Sequence, residues 1–362
     1  MKFQSARAAE NIAVYQPGKP VEELERELGL TGSIKLASNE NPLGPSPLAL
    51  EAMRKALAEL HRYPDGGGFY LKRALSEFHG LAPENFVLGN GTNEVLEILA
   101  HAFFNEGDPV VFSEGAFIVY LIVSQLTGCE IRTAPMRDYT HDLEAMADLV
   151  CDRTKAVFIA NPNNPTGTGV GEKSLRRLLE RIPESTLVVV DEAYCHYVRR
   201  EDYPDAVRLL DEFPNVVAVR TFSKAYGLAG LRIGYGVARP EVAEVMNKVR
   251  EPFNVNSLAL VAAEAALGDT EHVERSVRIN DEGREFFVRE LAALGIPFVP
   301  TQGNFLMAEV EDGEKVYESL LREGVIVRPV TGYGFPRHVR ISIGTPEENR
   351  RVIEALAKVM GK

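Results

Sequence analysis

The sequence is short of cysteine, of long apolar runs and of net positive charge. Cysteine occurs three times, at Cys129, Cys151 and Cys195, with no Cys-X-X-Cys pair. That odd, scattered set argues against a disulfide scaffold or a zinc knuckle and points to a reducing, cytoplasmic compartment. No stretch approaches the roughly 18 apolar residues of a membrane-spanning helix. Residues 1–14 lack the apolar centre of a secretory signal. Lysine and arginine total 40 against 52 aspartates and glutamates, a net charge of −12. The broad basic footprint of a nucleic-acid-binding protein is therefore missing, although a local cationic pocket is compatible with an acidic chain. Internal repeats and linkers of biased composition are also missing.

What is present is an ordinary globular composition: 362 residues, 45% hydrophobic and 25% charged. At about 100–200 residues per domain, that length suggests two domains. Short β-rich runs at 86–88, 109–112, 156–160, 187–190, 216–221 and 233–237 alternate with amphipathic segments such as 94–104 and 173–181. Several of these runs are continuously apolar, as in parallel strands covered on both faces. The alternation predicts a doubly wound α/β sheet. The C-terminal part reads as α+β: one long helical stretch over 255–294, strands near 304–310, 325–327 and 339–343, and a final helix. The first 45 residues are rich in proline and glycine and show no clear strand.

Chemistry-bearing residues gather at the ends of the apolar runs. Lys224 follows the run ending at Thr221, inside Ser223-Lys224-Ala-Tyr-Gly-Leu-Ala-Gly-Leu-Arg232. A lysine by itself decides nothing, but burial lowers an ammonium pKa and exposes a nucleophilic amine. Asp191 follows Val188-Val-Val190, and Asn161-Pro-Asn-Asn-Pro-Thr-Gly167 follows a third run. Read alone, the first is compatible with a helix cap and the second with a turn. Ligands of open α/β sheets bind beyond the carboxyl ends of strands, so Asn161, Asp191 and Lys224 are placed to meet in one crevice. Gly89-Asn-Gly91-Thr92 joins a strand to a helix, where small residues admit a ligand and the helix N-terminus favours an anion. It has neither the lysine of a Walker loop nor the spacing of a dinucleotide fingerprint. Cys195 and His196, beside Tyr194, read as packing residues.

The ordered set of Asn161-Pro-Asn-Asn-Pro-Thr-Gly167, Asp191-Glu-Ala-Tyr194 and Ser223-Lys224 through Arg232 resembles the fold-type-I pyridoxal-phosphate aminotransferases over nearly the whole chain. Further segments are similar to the histidinol-phosphate aminotransferase family. They are Tyr15-Gln-Pro-Gly-Lys19, Leu36-Ala-Ser-Asn39-Glu-Asn-Pro42, Arg62-Tyr63-Pro-Asp65, the run from Gly324 through Arg328 to Tyr333-Gly334, and His338-Val-Arg340 onward. The resemblance implies an α/β fold with a large cofactor domain at 46–270, built on a mostly parallel central sheet. A smaller α+β domain is then expected from residues 1–45 and 271–362. It implies that Lys224 carries pyridoxal 5′-phosphate and moves the substrate's Cα proton. Asp191 is expected to pair with the ring nitrogen, and Asn161 and Tyr194 with the ring's phenolic oxygen. Gly91, Thr92, Ser223 and Arg232 are expected to hold the phosphate, with Tyr63 of a second subunit. Phe117 is expected to stack on the ring, at a position where relatives commonly carry tyrosine. Arg340 is the expected carboxylate-binding arginine, a guanidinium suited to two parallel hydrogen bonds, and is also expected to contact the substrate phosphate. Arg328 is the candidate for a substrate phosphate or distal carboxylate, with Tyr15, Asn39 and Tyr333 completing the pocket.

The implied activity is amino transfer between L-histidinol phosphate and 2-oxoglutarate in a homodimer, with small-molecule partners only and no metal. Three other readings of the same core remain: a broad aromatic aminotransferase, a threonine-phosphate decarboxylase and a non-catalytic regulator. The last has no need of Lys224.

Overall fold

The computed structural model describes residues 12–14 and 17–362. Its centre is a seven-stranded sheet in the order Phe86–Gly89, Gly234–Val237, Val216–Thr221, Leu187–Asp191, Ala156–Ala160, Pro109–Ser113, Glu130–Ala134. Gly234–Val237 runs antiparallel to both neighbours, and the other pairs are parallel. Side chains alternate between two cores. Val157, Ile159, Val188 and Val190 enter one, and Ala156, Phe158, Val189 and Val217 the other. A sheet covered on both faces needs apolar residues at every position, which is why these strands read as unbroken apolar runs. Glu130–Ala134 is absent from the expected strands. It is an edge strand, four of its five residues are exposed or half-buried, and Glu, Arg and Thr interrupt its apolar pattern.

A four-stranded antiparallel sheet, in the order Phe298–Val299, Phe305–Glu309, His338–Ser342, Arg328–Pro329, forms the second layer system. Its core joins Leu306, Val339 and Ile341 to Phe287, Leu291, Val352 and Leu356 of two helices. Two expectations need correction. The stretch 255–294 is two helices, Ser257–Leu267 and Thr270–Ala293. Gly268 ends the first, and the Asp269 carboxylate caps the second by accepting from His272 N–H. The N-terminal part also contains a strand: Ile34–Lys35 pairs in parallel with Val325–Ile326. Two residues are too few to show as a pattern in sequence. Their pairing brings the segment 36–41 across the carboxyl ends of the large sheet.

Candidate active site

The strand Leu187–Asp191 is buried along its length and delivers Asp191 to the rim of a cavity of about 320 Å³. Asp191 Oδ2 accepts from the Tyr120 hydroxyl at 3.0 Å, and Oδ1 accepts from Ala193 N–H at 3.1 Å. Burial pushes this carboxyl up to about 6, opposed by the Tyr120 hydrogen bond, the Ala193 N–H and the charge of Lys224. Lys224 enters the same cavity three residues beyond the strand Val216–Thr221. Its Nζ donates to the Ser38 carbonyl at 3.1 Å and lies 5.6 Å from the Tyr194 ring centroid. Burial and then Arg340 lower the ammonium to about 7, with Glu40 acting in the opposite direction. An amine that is largely neutral near pH 7 is able to attack a carbonyl and to take a proton.

An anion cup adjoins these two groups. The helix Thr92–Phe103 begins after Gly91, which has φ 78°, and its unpaired N–H groups and dipole favour negative charge. Arg232 lies against it, its Nη1 donating to Ser223 Oγ at 3.4 Å and to the Ala229 carbonyl at 3.1 Å. A Cβ on Gly91 would stand 2.6 Å from Arg232 Nη2, so any side chain there would displace the guanidinium from the helix end. This cup fits a phosphate: two hydroxyl-bearing residues, a helix N-terminus and a guanidinium converge.

The small sheet supplies the opposite wall. Arg328 and Arg340 are register partners on adjacent antiparallel strands, and both line the cavity. Like charges directly opposite one another are unfavourable, so the pair suits a site that receives anions. Arg340 is buried; it donates to Asn164 Oδ1 and, at 2.5 Å, to the Ala37 carbonyl, and its guanidinium lies 5.3 Å from the Phe305 ring centroid. Asn39 has φ 54°, unusual for a side-chain-bearing residue. Its Nδ2 donates to the Tyr194 hydroxyl at 3.0 Å, its N–H donates to Ser342 Oγ at 2.8 Å, and its carbonyl accepts from Asn304 at 3.0 Å. Burial pushes the Tyr194 hydroxyl up to about 12, with Arg340 and the Asn39 hydrogen bond opposing it.

Comparison with known proteins decides the family. The family described as aminotransferase class I and II matches residues 31–356. Histidinol-phosphate aminotransferase 1 of Nitrosococcus oceani is 49% identical over 357 residues, 98% of this chain and 96% of that protein. Histidinol-phosphate aminotransferase 2 of Pseudomonas aeruginosa is 51% identical over 354 residues, 97% of this chain and 96% of that one. The chain belongs to the class I and II aminotransferases, in their histidinol-phosphate branch. Its fold matches that of Sinorhizobium meliloti histidinol-phosphate aminotransferase, solved in complex with pyridoxal 5′-phosphate. The TM-score is 0.91, with 30% identity, 99% of this chain and 98% of that one covered. Thermus thermophilus aspartate aminotransferase, solved with maleate, matches with a TM-score of 0.86 and 25% identity, over 99% of this chain and 100% of that one.

In this aminotransferase the cavity gathers Lys224, Asp191 and Tyr194 with Thr92, Ser223 and Arg232 of the cup. Phe117, Asn39, Arg328, Tyr333 and Arg340 line it as well. Gly91 lies beneath the Arg232 guanidinium. Asn161 is not brought to the cavity. It continues the sheet, its N–H bonded to the Asp191 carbonyl at 2.9 Å. Its carboxamide closes the loop that follows, donating to the Val170 carbonyl at 3.2 Å and accepting from Val170 N–H at 2.9 Å. Asn164, three residues farther beyond the strand, lines the cavity instead and accepts from Arg340. Distance past the strand end is the signal that separates the two asparagines. Tyr63 is also outside the cavity: it is 84% exposed and stacked on Phe253 at 5.0 Å between ring centroids. Tyr15 lies outside the described residues. Asn164, which lines the cavity, and Tyr120, which donates to Asp191, are the residues that sequence reasoning missed. Cys195, a neighbour of Tyr194, has a thiol pushed up to about 12 by burial, which suits packing and not nucleophilic attack.

Proposed function

We propose that this aminotransferase moves the amino group of L-histidinol phosphate to 2-oxoglutarate, yielding imidazole-acetol phosphate and L-glutamate, with pyridoxal 5′-phosphate as its cofactor. The observation that carries the substrate class is the cross-strand pair Arg328–Arg340 facing the same cavity as Lys224. The amino donor, a phosphorylated amino alcohol, and the acceptor 2-oxoglutarate both carry an anionic group distal to the reacting carbon. A second arginine answers that shared feature.

The cofactor's fit rests on the cup at Gly91, the amine of Lys224 and the buried carboxyl of Asp191. Thr92, Ser223 and Arg232 would hold its phosphate, Phe117 would cover the ring, and Asp191 would pair with the ring nitrogen. Asn164 and Tyr194 are the polar groups nearest to where a phenolic oxygen would lie. When bound, the pyridine ring supplies the electron sink that lets a Cα proton leave. With the cofactor in place, the Lys224 amine would take the substrate's Cα proton and return it at the cofactor's C4′, across the intervening nitrogen. Arg340 holds the α-carboxylate of glutamate or 2-oxoglutarate in the plane of its guanidinium, and Arg328 holds the distal phosphate or carboxylate. The Ser38 carbonyl keeps Lys224 Nζ directed into the cavity.

The same reading includes the domain division 46–270 against 1–45 with 271–362, and a homodimer located in the cytoplasm. The dimer is supported by aromatic residues turned outward, with Tyr63 at 84%, Phe69 at 62% and Tyr70 at 59% exposure. No helix among the described residues is long and apolar enough to cross a membrane.

The test is a half-reaction. Enzyme reconstituted with pyridoxal phosphate is mixed with L-histidinol phosphate alone, and the cofactor's absorbance is followed. Complete conversion to the aminated cofactor's spectrum, reversed by 2-oxoglutarate, is expected. No conversion by histidinol phosphate, with ready conversion by phenylalanine, assigns the enzyme to aromatic amino acids and overturns the proposal.

A further inference from the structure

Tyr120 sits in the helix Ile118–Leu126, three residues after Phe117, and its side chain is fully buried. Its ring stacks on Phe158 at 5.0 Å and 14°, and meets Phe117 edge-on at 5.7 Å and 85°. The hydroxyl has one described partner, Asp191 Oδ2 at 3.0 Å. One side chain therefore joins Phe117 and Asp191, both of which line the cavity. With Ala193 N–H on Oδ1 at 3.1 Å, each oxygen of Asp191 is fixed by a single donor and the plane of the carboxyl is set.

A buried carboxyl in such a place tends to keep its proton. A protonated acid has no attraction for a protonated pyridine nitrogen. Donors to the carboxylate oppose that tendency, and a phenol suits the task because its own proton stays on. Burial and the adjacent Asp191 hold the Tyr120 hydroxyl well above its ordinary range. The remaining charged and titratable groups facing Asp191 are Lys224, which favours the carboxylate, Glu192, which disfavours it, and the Tyr194 hydroxyl.

We propose that Tyr120 is a positioning residue that keeps Asp191 an oriented carboxylate facing the cofactor's ring nitrogen. This rests on the reading that the cavity holds pyridoxal phosphate. Tyr120 acts through Asp191, and its ring also braces Phe117 against the opposite side of the same ligand.

The experiment titrates the apoprotein with pyridoxamine 5′-phosphate from pH 5 to 9. This probe forms no bond to Lys224, so its affinity reports the non-covalent contacts. Wild type, Tyr120→Phe, Asp191→Asn and the double variant are compared; phenylalanine keeps the stacked ring and removes only the hydroxyl. In wild type the affinity falls as Asp191 takes up its proton. A hydrogen bond to a charged group is worth about 1.5–3 kcal/mol, equivalent to about 1–2 pH units. In Tyr120→Phe the midpoint of that fall moves to higher pH by about this amount, and affinity at pH 7 drops about tenfold. In the Asp191→Asn background the same substitution changes affinity less than about twofold, because a neutral amide has no carboxylate to stabilise. An unchanged midpoint in Tyr120→Phe, or an equal loss with and without Asp191, overturns the positioning role. Failure of the wild type to bind the probe at any pH overturns the cofactor reading itself.

Discussion

The two walls of the cavity are built by opposite means. The wall from the seven-stranded sheet places Asp191 at the end of a fully buried strand and Lys224 three residues beyond one that is buried except at Arg220, and holds both in environments that oppose their charges. The wall from the four-stranded sheet places Arg328 and Arg340 side by side on short strands. It holds the two Nη groups of Arg340 through Asn164 and Ala37. The first wall tunes protonation, which reaction at carbon requires. The second offers fixed positive charge, which recognition of an anion requires. The difference separates chemistry from selectivity, and single substitutions on each wall test that separation.

The largest effect belongs to the chemical wall. Lys224→Ala removes the amine that lines the cavity and is placed to move the Cα proton, and amino transfer is expected to fall about a thousandfold or more for every substrate. Retention of rate within tenfold, in a single-turnover measurement, would erase the distinction between the walls.

The recognition wall comes next. Arg340→Ala is expected to lower kcat/KM by about a hundredfold or more for all substrates. The loss includes the penalty of leaving Asn164 Oδ1 and the Ala37 carbonyl without their donor. Arg328→Ala is expected to cost about 10–100-fold on histidinol phosphate and glutamate, the loss of one charge-assisted contact. Its cost on phenylalanine, which lacks a distal anion, is expected to be several-fold at most. Equal losses of Arg328→Ala on both classes would remove the distal-anion role from this wall.

The walls also differed in how far sequence alone revealed them. The strands carrying Asp191 and Lys224 were legible because burial on both faces writes a continuous apolar run, and the rule for open sheets places ligands at the ends of such runs. The rule located the crevice but not the direction of each side chain. Asn161 satisfies it and still turns away to Val170, and Asn164 takes its place in the cavity. Tyr120 left no trace because a tyrosine within an apolar helix is the ordinary appearance of a core residue. The recognition wall carries almost no local signal. Arg328–Pro329 and Ile34–Lys35 are two-residue strands, and only register pairing across distant chain segments shows that Arg328 faces Arg340 or that residue 39 reaches Ser342. Those residues were found by resemblance, not by pattern.

The smallest effect sharpens the comparison through stability. Asp191 is 4% exposed, and its pKa is raised from 3.8 to about 6 in the fold. A raised acid stabilises the folded state relative to its charged form below the unfolded pKa, and that contribution is lost as pH rises through the folded value. Above pH 6 the apoprotein therefore bears the cost of an ionised carboxylate that waits for a cationic ring nitrogen. The difference of about 2 units bounds that cost near 3 kcal/mol. Asp191→Asn removes the charge but sets its NH2 against either the Tyr120 hydroxyl or Ala193 N–H, which returns part of the gain. A net increase of about 1–2 kcal/mol in apoprotein stability at pH 7.5 is expected, read from urea unfolding, with the increase vanishing near pH 4. Such a gain, beside loss of amino transfer, is the signature of a group kept for chemistry at the expense of the fold. Arg340→Met, whose partners are already in place without ligand, is expected to destabilise at both pH values. Stabilisation by both substitutions, or by neither, would show that the two walls share one design.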